Sequence, residues 1–240
     1  MTSATVSSLP RLAVIVPTLD EENAIASCLR AIGQPADVPI VVSDGGSRDG
    51  TLAIVAREFP AVRIVTGAAG RGSQLNRGAA AAIAQTYIFV HADCRLPIGW
   101  HQAVLTALAD PHVAMGCFRL HTEPPSDGST APLARAWWRL LDLRSRGLGL
   151  PYGDQAQFLR RDVLAAVGGV PEIPLMEDFE LARRCLRHGR LARLPLEVHT
   201  TARRFARFPV RARVCTMAFP LLFRLGVSPG RLAAWYRNVR

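Results

Sequence analysis

A single α/β domain, with a mostly parallel sheet flanked by helices, is the fold this sequence predicts, on three observations. Short β-branched runs alternate with helical spacings through the first part of the chain. Each run ends in a polar or glycine-rich cluster, the place where open parallel sheets bind ligands. With 240 residues, 49% of them hydrophobic and 20% charged, the chain can bury a large core without disulfides and is not disordered.

The elements follow in order. Leu12 to Val16 is an apolar run stopped by Pro17, as in a buried parallel strand. Over 21–32, Ile25, Cys28, Leu29 and Ile32 share one helical face. A second strand, 39–43, runs into Asp44-Gly45-Gly46; a helix over 50–58 and a strand over 62–65 follow. The Ala-rich 74–84 reads as a helix feeding a strand at 87–90. After Asp93 the alternation loosens: helix 100–109, strand 114–121, a Pro/Ser/Gly-rich loop over 123–132, helices 137–143, 161–168 and 178–188, and strand 194–199. The expected organisation is one domain over 10–240, with a nucleotide-binding half (10–95), an acceptor-binding and catalytic half (96–205) and a basic amphipathic segment (206–240).

Cys28, Cys94, Cys117, Cys185 and Cys215 are odd in number and lack a CxxC pair, so neither a disulfide framework nor a zinc knuckle is expected. The N-terminus lacks a cationic start, and no run reaches the ~18 apolar residues of a spanning helix, so neither a signal peptide nor a membrane span is expected. Charge is divided unevenly. All 29 basic residues are Arg; residues 1–182 hold 15 of them against 18 acids, whereas 183–240 hold 14 against Glu197 alone. Such a tail attracts anionic lipid, nucleic acid or phosphorylated ligands alike.

Four successive strand ends carry chemistry-bearing residues: 17–23, 43–51, 70–76 and 91–93. Singly, each has a plain structural reading, such as acids complementing a helix start or glycines making a turn; together they favour a site. Trp137 and Trp138 are read as packing residues, and His101, His112, His188 and His199 have no metal-ligand spacing.

Over Pro17 to Asn23, Asp44 to Thr51, Gly70 to Gly78, His91 to Asp93 and Gly168 to Arg183, the chain resembles glycosyltransferase family 2 enzymes, which have the GT-A, Rossmann-like fold. It is most similar to a compact bacterial subgroup with a GRGxQxNxGA stretch, here from Gly70 to Ala79, an HAD triplet and a late Arg203-Arg204-Phe205 element. The resemblance implies that Pro17, Thr18 and Glu21 line the nucleotide pocket, with Gly45, Gln74 and Asn76 beside them. It implies that Asp44 bonds the base and that Arg71 approaches the diphosphate, whose oxygens a guanidinium fork matches. Asp93 matches the last Asp of the family's DxD motif, which holds a divalent cation (Mn or Mg), and His91 replaces the first. Glu177-Asp178 matches the ED motif, making Asp178 the base. Gly153, Asp154 and Gln155, with Arg203 and Arg204, fall where relatives contact the donor sugar, acceptor or diphosphate.

The implied activity is an inverting, metal-assisted transfer of sugar from a nucleoside-diphosphate sugar to a hydroxyl acceptor, with a lipid-linked acceptor among the candidates. It would act in the cytoplasm or at the inner membrane face, with no nucleic acid partner. A nucleotidyltransferase would instead carry a Lys or glycine-rich signature near strand one, where this Lys-free chain is acidic. A basic membrane or nucleic-acid binding module with a decayed site would bind independently of Asp93 and Asp178. In the tail, Val210, Val214, Met217, Leu221 and Leu225 recur at helical spacing among Arg207, Arg211, Arg213 and Arg224, with Pro220 expected to kink or divide the segment. That stripe suits either an anionic membrane or packing on the domain's own sheet.

Overall fold

The computed structural model describes residues 9–123, 132–147, 149–201 and 209–237, with backbone alone at 132–135, 137, 141, 144, 209–216 and 237. Eight strands form one sheet: β1 (Ala13–Thr18), β2 (Ile40–Asp44), β3 (Arg63–Thr66), β4 (Thr86–Phe89), β5 (Cys94–Arg95), β6 (Val113–Glu123), β7 (Phe158–Arg160) and β8 (Arg190–Thr201), in the order β3-β2-β1-β4-β7-β6-β8-β5. The first four are mutually parallel, β7 is antiparallel to both its neighbours, and β6 and β8 are parallel.

The sheet is covered on both faces, which is why β1 is apolar without alternation. Val14 and Val16 enter one core with Ile25, Leu29 and Ile32 of α1 (Ile25–Ile32), Val55 of α2 (Thr51–Glu58), and Trp100 and Val104 of α4 (Trp100–Leu108). Ala13 and Ile15 enter the other, with Leu75 and Ala79 of α3 (Arg71–Ala81), Val163 and Leu164 of α6 (Arg161–Ala166), and Leu181 and Cys185 of α7 (Glu177–Cys185). Helix α5 (Pro132–Ser145) lies on β6. A third cluster joins Met176 and Phe179 to Phe219 of α8 (Pro209–Arg224) and Leu232 of α9 (Pro229–Arg237), fastening the C-terminal helices to the start of α7.

The differences from the sequence-based expectation have local causes. Helix α1 begins at Ile25 rather than 21 because 21–24 form a turn on the Glu21 carbonyl while Glu21 N–H donates to Thr51 Oγ1 at 2.8 Å. Helix α3 begins at Arg71, three residues early, after Gly70 at φ 146°. Strand β8 extends to 190–201 by absorbing Pro195 in a bulge, since Cys117 pairs with Arg193 and Arg119 with Glu197. Strand β7 went unanticipated because three residues carry no period. Helix α8 runs through Pro220 undivided, and the turn falls at Gly226, φ 89°. Position 123 closes β6 and 132 opens α5, so the rest of the expected loop (124–131) lies outside the described residues, as do Arg203, Arg204 and Arg207. Four cysteines, Cys28, Cys94, Cys117 and Cys185, are buried free thiols.

Gly116 of β6 lies against the buried Phe158 ring: a Cβ there would sit 2.1 Å from Cζ. Gly116→Ala should therefore lower unfolding free energy by about 1–3 kcal/mol in urea titration through overpacking.

Candidate active site

The parallel strands end together, and their loops are wired to one another. Asp20 N–H donates to Ser47 Oγ at 2.9 Å, Arg48 N–H to Asp20 Oδ1 at 2.8 Å, and Gly50 N–H to Glu22 Oε2 at 2.8 Å. Asp44 is 1% exposed and closes its own loop: Oδ2 accepts from Gly46 N–H at 2.7 Å and Ser47 N–H at 2.9 Å, and Oδ1 accepts from Ser47 Oγ at 2.5 Å. Asp20, Glu22, Asp44 and Asp49 thus serve as loop fasteners, whereas Glu21 faces a cavity.

That cavity, about 490 Å³, is lined by Pro17, Thr18, Glu21, Arg71, His91, Asp93 and Glu177 among others, a volume suited to a small-molecule ligand. Gln74 forms part of its floor, its Nε2 donating to the Thr18 carbonyl at 2.7 Å and the Ser43 carbonyl at 3.0 Å. A second cavity of about 130 Å³ shares Arg71, His91, Leu175 and Tyr236 with the first and adds Tyr152, Asp154 and Asp178.

Between them lies the charged centre. Arg71 Nη1 is 2.6 Å from Glu177 Oε1, with side chains 26% and 2% exposed. Met176, at φ 71° just before α7, turns Glu177 and Asp178 toward the cleft; a non-glycine residue there is a costly conformation of the kind found at functional sites. Asp178 Oδ2 accepts the Gly153 N–H at 2.6 Å and Oδ1 that of Phe179 at 2.7 Å. Burial, and next the charge of Glu177, push the Asp178 carboxyl up to about 6 against the opposing pull of Arg71 and these two N–H groups. Gly153 has no room for a side chain: a Cβ would lie 2.5 Å from His91 Nε2 and 3.2 Å from Asp178 Oδ2, so imidazole and carboxylate flank one glycine.

Asp93 and His91 both line the large cavity, and Cys94 Sγ lies 3.7 Å from Asp93 Oδ1 as a thiol that burial holds protonated. Among the described residues no group of three or more His, Cys, Asp or Glu could hold a metal. This donor set fits a hard cation only together with oxygens of a bound diphosphate.

The cleft thus gathers Pro17, Thr18, Glu21, Arg71, Gln74, His91, Asp93, Asp154, Glu177 and Asp178, with Gly153 against its centre. Asp44, Gly45, Asn76 and Gln155, also named from sequence, do not line it, and Arg203 and Arg204 lie outside the described residues. Gly45 sits behind Gln74. Asn76 ties α3 to the 170–172 loop, its Nδ2 on the Val170 carbonyl at 2.9 Å and on Glu172 at 3.0 Å. Gln155 is 3% exposed, Nε2 donating to the Phe118 carbonyl at 2.9 Å. Sequence reasoning missed Tyr152, Leu175 and the roof of Phe219, Pro220, Gly230, Ala233 and Tyr236; nothing local distinguishes these from ordinary helix residues.

A raised acid favours its protonated form when folded, so Asp178 adds stability below its unfolded value and loses it as pH climbs through about 6. Asp178→Asn should therefore melt above wild type at about pH 8, the gap closing between pH ~6 and ~4 in a melting series.

The model of glycosyl transferase family 2 matches residues 13–168. No curated protein matches the chain. Among solved structures, the mannosyltransferase PcManGT from Pyrobaculum calidifontis, in complex with GDP-Man and Mn²⁺, is similar at 20% identity and TM-score 0.67, over 97% of this chain and 70% of that one. S. aureus TarS 1–349 in complex with UDP-GlcNAc is similar at 18% identity and TM-score 0.59, over 80% of this chain; the chain spans 58% of the length of TarS 1–349. These likenesses establish a shared fold, and with the family model covering well over half its length, the chain belongs to glycosyl transferase family 2.

Proposed function

We propose that the protein transfers a sugar from a nucleoside diphosphate to a hydroxyl acceptor, with inversion at the anomeric carbon. The observation that carries this reading is one cleft in which Arg71 and Asp93 line the larger chamber, Asp178 the smaller, and Arg71 and His91 both. The donor occupies the half built from 10–95 and the acceptor the half from 96–205. Structural relatives in complex with UDP-GlcNAc and with GDP-Man support a nucleotide-sugar donor.

The chemistry demands two opposed groups. Departure of a nucleoside diphosphate leaves a multiply charged anion, and the incoming hydroxyl must lose a proton on the other face of the ring. Arg71, at the N-terminus of α3 with its fork turned by Glu177, binds diphosphate oxygens alongside the backbone N–H groups of the first turn. A divalent cation, held by Asp93 with His91 and the donor's phosphates, would neutralise the leaving group. Asp178 takes the hydroxyl proton: raised to about 6, it is ionised at neutral pH yet basic enough to accept. Gly153 N–H holds that carboxylate in place, and Tyr236 and Ala233 close the chamber against water. Asp44 keeps the loop beside the base rigid. Arg203 and Arg204 are assigned to the diphosphate from the family motif alone. The acceptor bears a hydroxyl, and the cation-rich C-terminal quarter suits one carried at an anionic surface of the cytoplasm.

A thermal-shift panel of UDP-, GDP- and dTDP-sugars, with Mn²⁺ or EDTA, tests the reading. The true donor should stabilise the fold by about 2.7 kcal/mol at a hundredfold excess over Kd, more with Mn²⁺. Turnover of that donor should give the inverted anomer by NMR and fall ~10²–10⁴-fold in Asp178→Asn. Because the base must be ionised, kcat/KM should rise about tenfold per unit below pH ~6 and then level. No shift from any nucleotide, or full turnover by Asp178→Asn, would overturn it. Arg71→Ala should weaken donor binding about 10- to 100-fold by calorimetry, with Lys restoring only part of it.

A further inference from the structure

Helices α8 and α9 form a hairpin with two unlike faces. The inner face, Phe219, Leu222, Phe223 and Leu232, packs on Met176 and Phe179. The outer face repeats large apolar side chains at every fourth position: Met217 and Leu221 of α8 are 46% and 59% exposed, Leu225, just past its end, is 73%, and Trp235 of α9 is 50%. Met217, Leu221 and Leu225 belong to the stripe singled out in the sequence, and their exposure shows that these three do not pack on the sheet. Arg231 of α9 is exposed, and Arg224, also exposed, holds its guanidinium carbon 5.3 Å above the Phe179 ring on the inner side. From Val198 to Arg240 the chain carries nine Arg and no Asp or Glu.

We propose that this outer face rests on an anionic lipid bilayer, parallel to its surface, with the cleft mouth held just above the headgroups. Exposed leucines, a tryptophan and arginines, without acids, are the combination that binds an interface: the apolar residues enter the acyl boundary and the guanidiniums meet lipid phosphates. Charge decides among occupants. A second copy of the chain would bring one arginine-rich, acid-free segment toward another. Nucleic acid would satisfy the arginines and leave the Met217-Leu221-Leu225 ridge in water. No helix among the described residues is long and apolar enough to cross a membrane, so the hairpin lies on the bilayer.

The same hairpin roofs the cleft: Phe219 and Pro220 line the small chamber, and Gly230, Ala233 and Tyr236 the large one. One helix diameter, ~10 Å, therefore separates bilayer from chamber. Resting on the transferase reading, this names the acceptor class: a hydroxyl on a lipid-anchored molecule, presented from the bilayer edge.

Flotation of the full chain with vesicles tests the docking, using phosphatidylcholine alone and phosphatidylcholine mixed equally with phosphatidylglycerol. Wild type should float with the mixed vesicles and stay below with phosphatidylcholine. The triple variant Leu221→Gln, Leu225→Gln, Trp235→Gln, altered only at exposed positions away from the cavities, should lose ~10-fold or more of its bound-to-free ratio while its melting temperature and nucleotide-induced shift stay as in wild type. The docking proposal is overturned if wild type ignores both vesicles or if the triple variant floats equally well. It is also overturned if light scattering finds a dimer that the variant abolishes, which would assign the face to a second copy. Loss of the nucleotide shift in wild type would sink the transferase reading instead, leaving flotation to be judged by itself.

Discussion

Where α3 and α7 begin, a guanidinium and two carboxylates share one half-dry space, and the cleft is organised around how they divide their charge. Arg71 is committed to Glu177, whose side chain is almost wholly buried. Removing Arg71 strands the buried Glu177 carboxylate, which costs several kcal/mol, so the pair ties the two helix starts together across 106 residues of sequence. Asp178, next along, gets only the remainder of that cation's field together with the repulsion of Glu177. Burial raises its titration first and the charge of Glu177 next, against the pull of the same Arg71 that lines the donor chamber.

The backbone around this centre is built for close approach. Pro171's carbonyl would lie 2.2 Å from a Cβ on Gly72, His91 lies on Gly153, and Met176 accepts a left-handed conformation to present α7. Each is a local cost that surrounding burial offsets, and all lie within reach of Arg71 or Asp178. Met176 is the strained member of this set, a non-glycine residue held in a sparsely populated conformation beside Asp178, and Asp20, at φ 55°, holds the same kind of conformation next to Glu21.

How much of this was readable beforehand depended on whether the signal was local. Leu12 to Val16 announces a doubly covered strand because every position is apolar, and the glycines and acids at four strand ends name the rim of the cleft. Residue type does not reveal orientation, however. Asp44, Asn76 and Gln155 look like ligand contacts, yet each bonds backbone: Asp44 in its own loop, Asn76 at Val170 and Gln155 at Phe118 of β6. Strand β7 is too short to carry a period, and Tyr236 and Phe219 reach the cleft only because the chain returns from far along the sequence. The C-terminal stripe is visible in the sequence as a helix face, but the direction in which Met217 and Leu221 point follows from the packing of Phe219 and Phe223 on Met176 and Phe179, which no local pattern encodes.

A ¹³C titration of the Asp carboxyls, with the Asp178→Asn variant for assignment, reaches the central claim most directly. One resonance should titrate near 6, vanish in Asp178→Asn, and move further upward in Arg71→Ala, where the opposing cation is gone. If every aspartate, Asp178 included, titrates within the ordinary carboxylate range and ignores Arg71, the electrostatic account of the cleft is wrong.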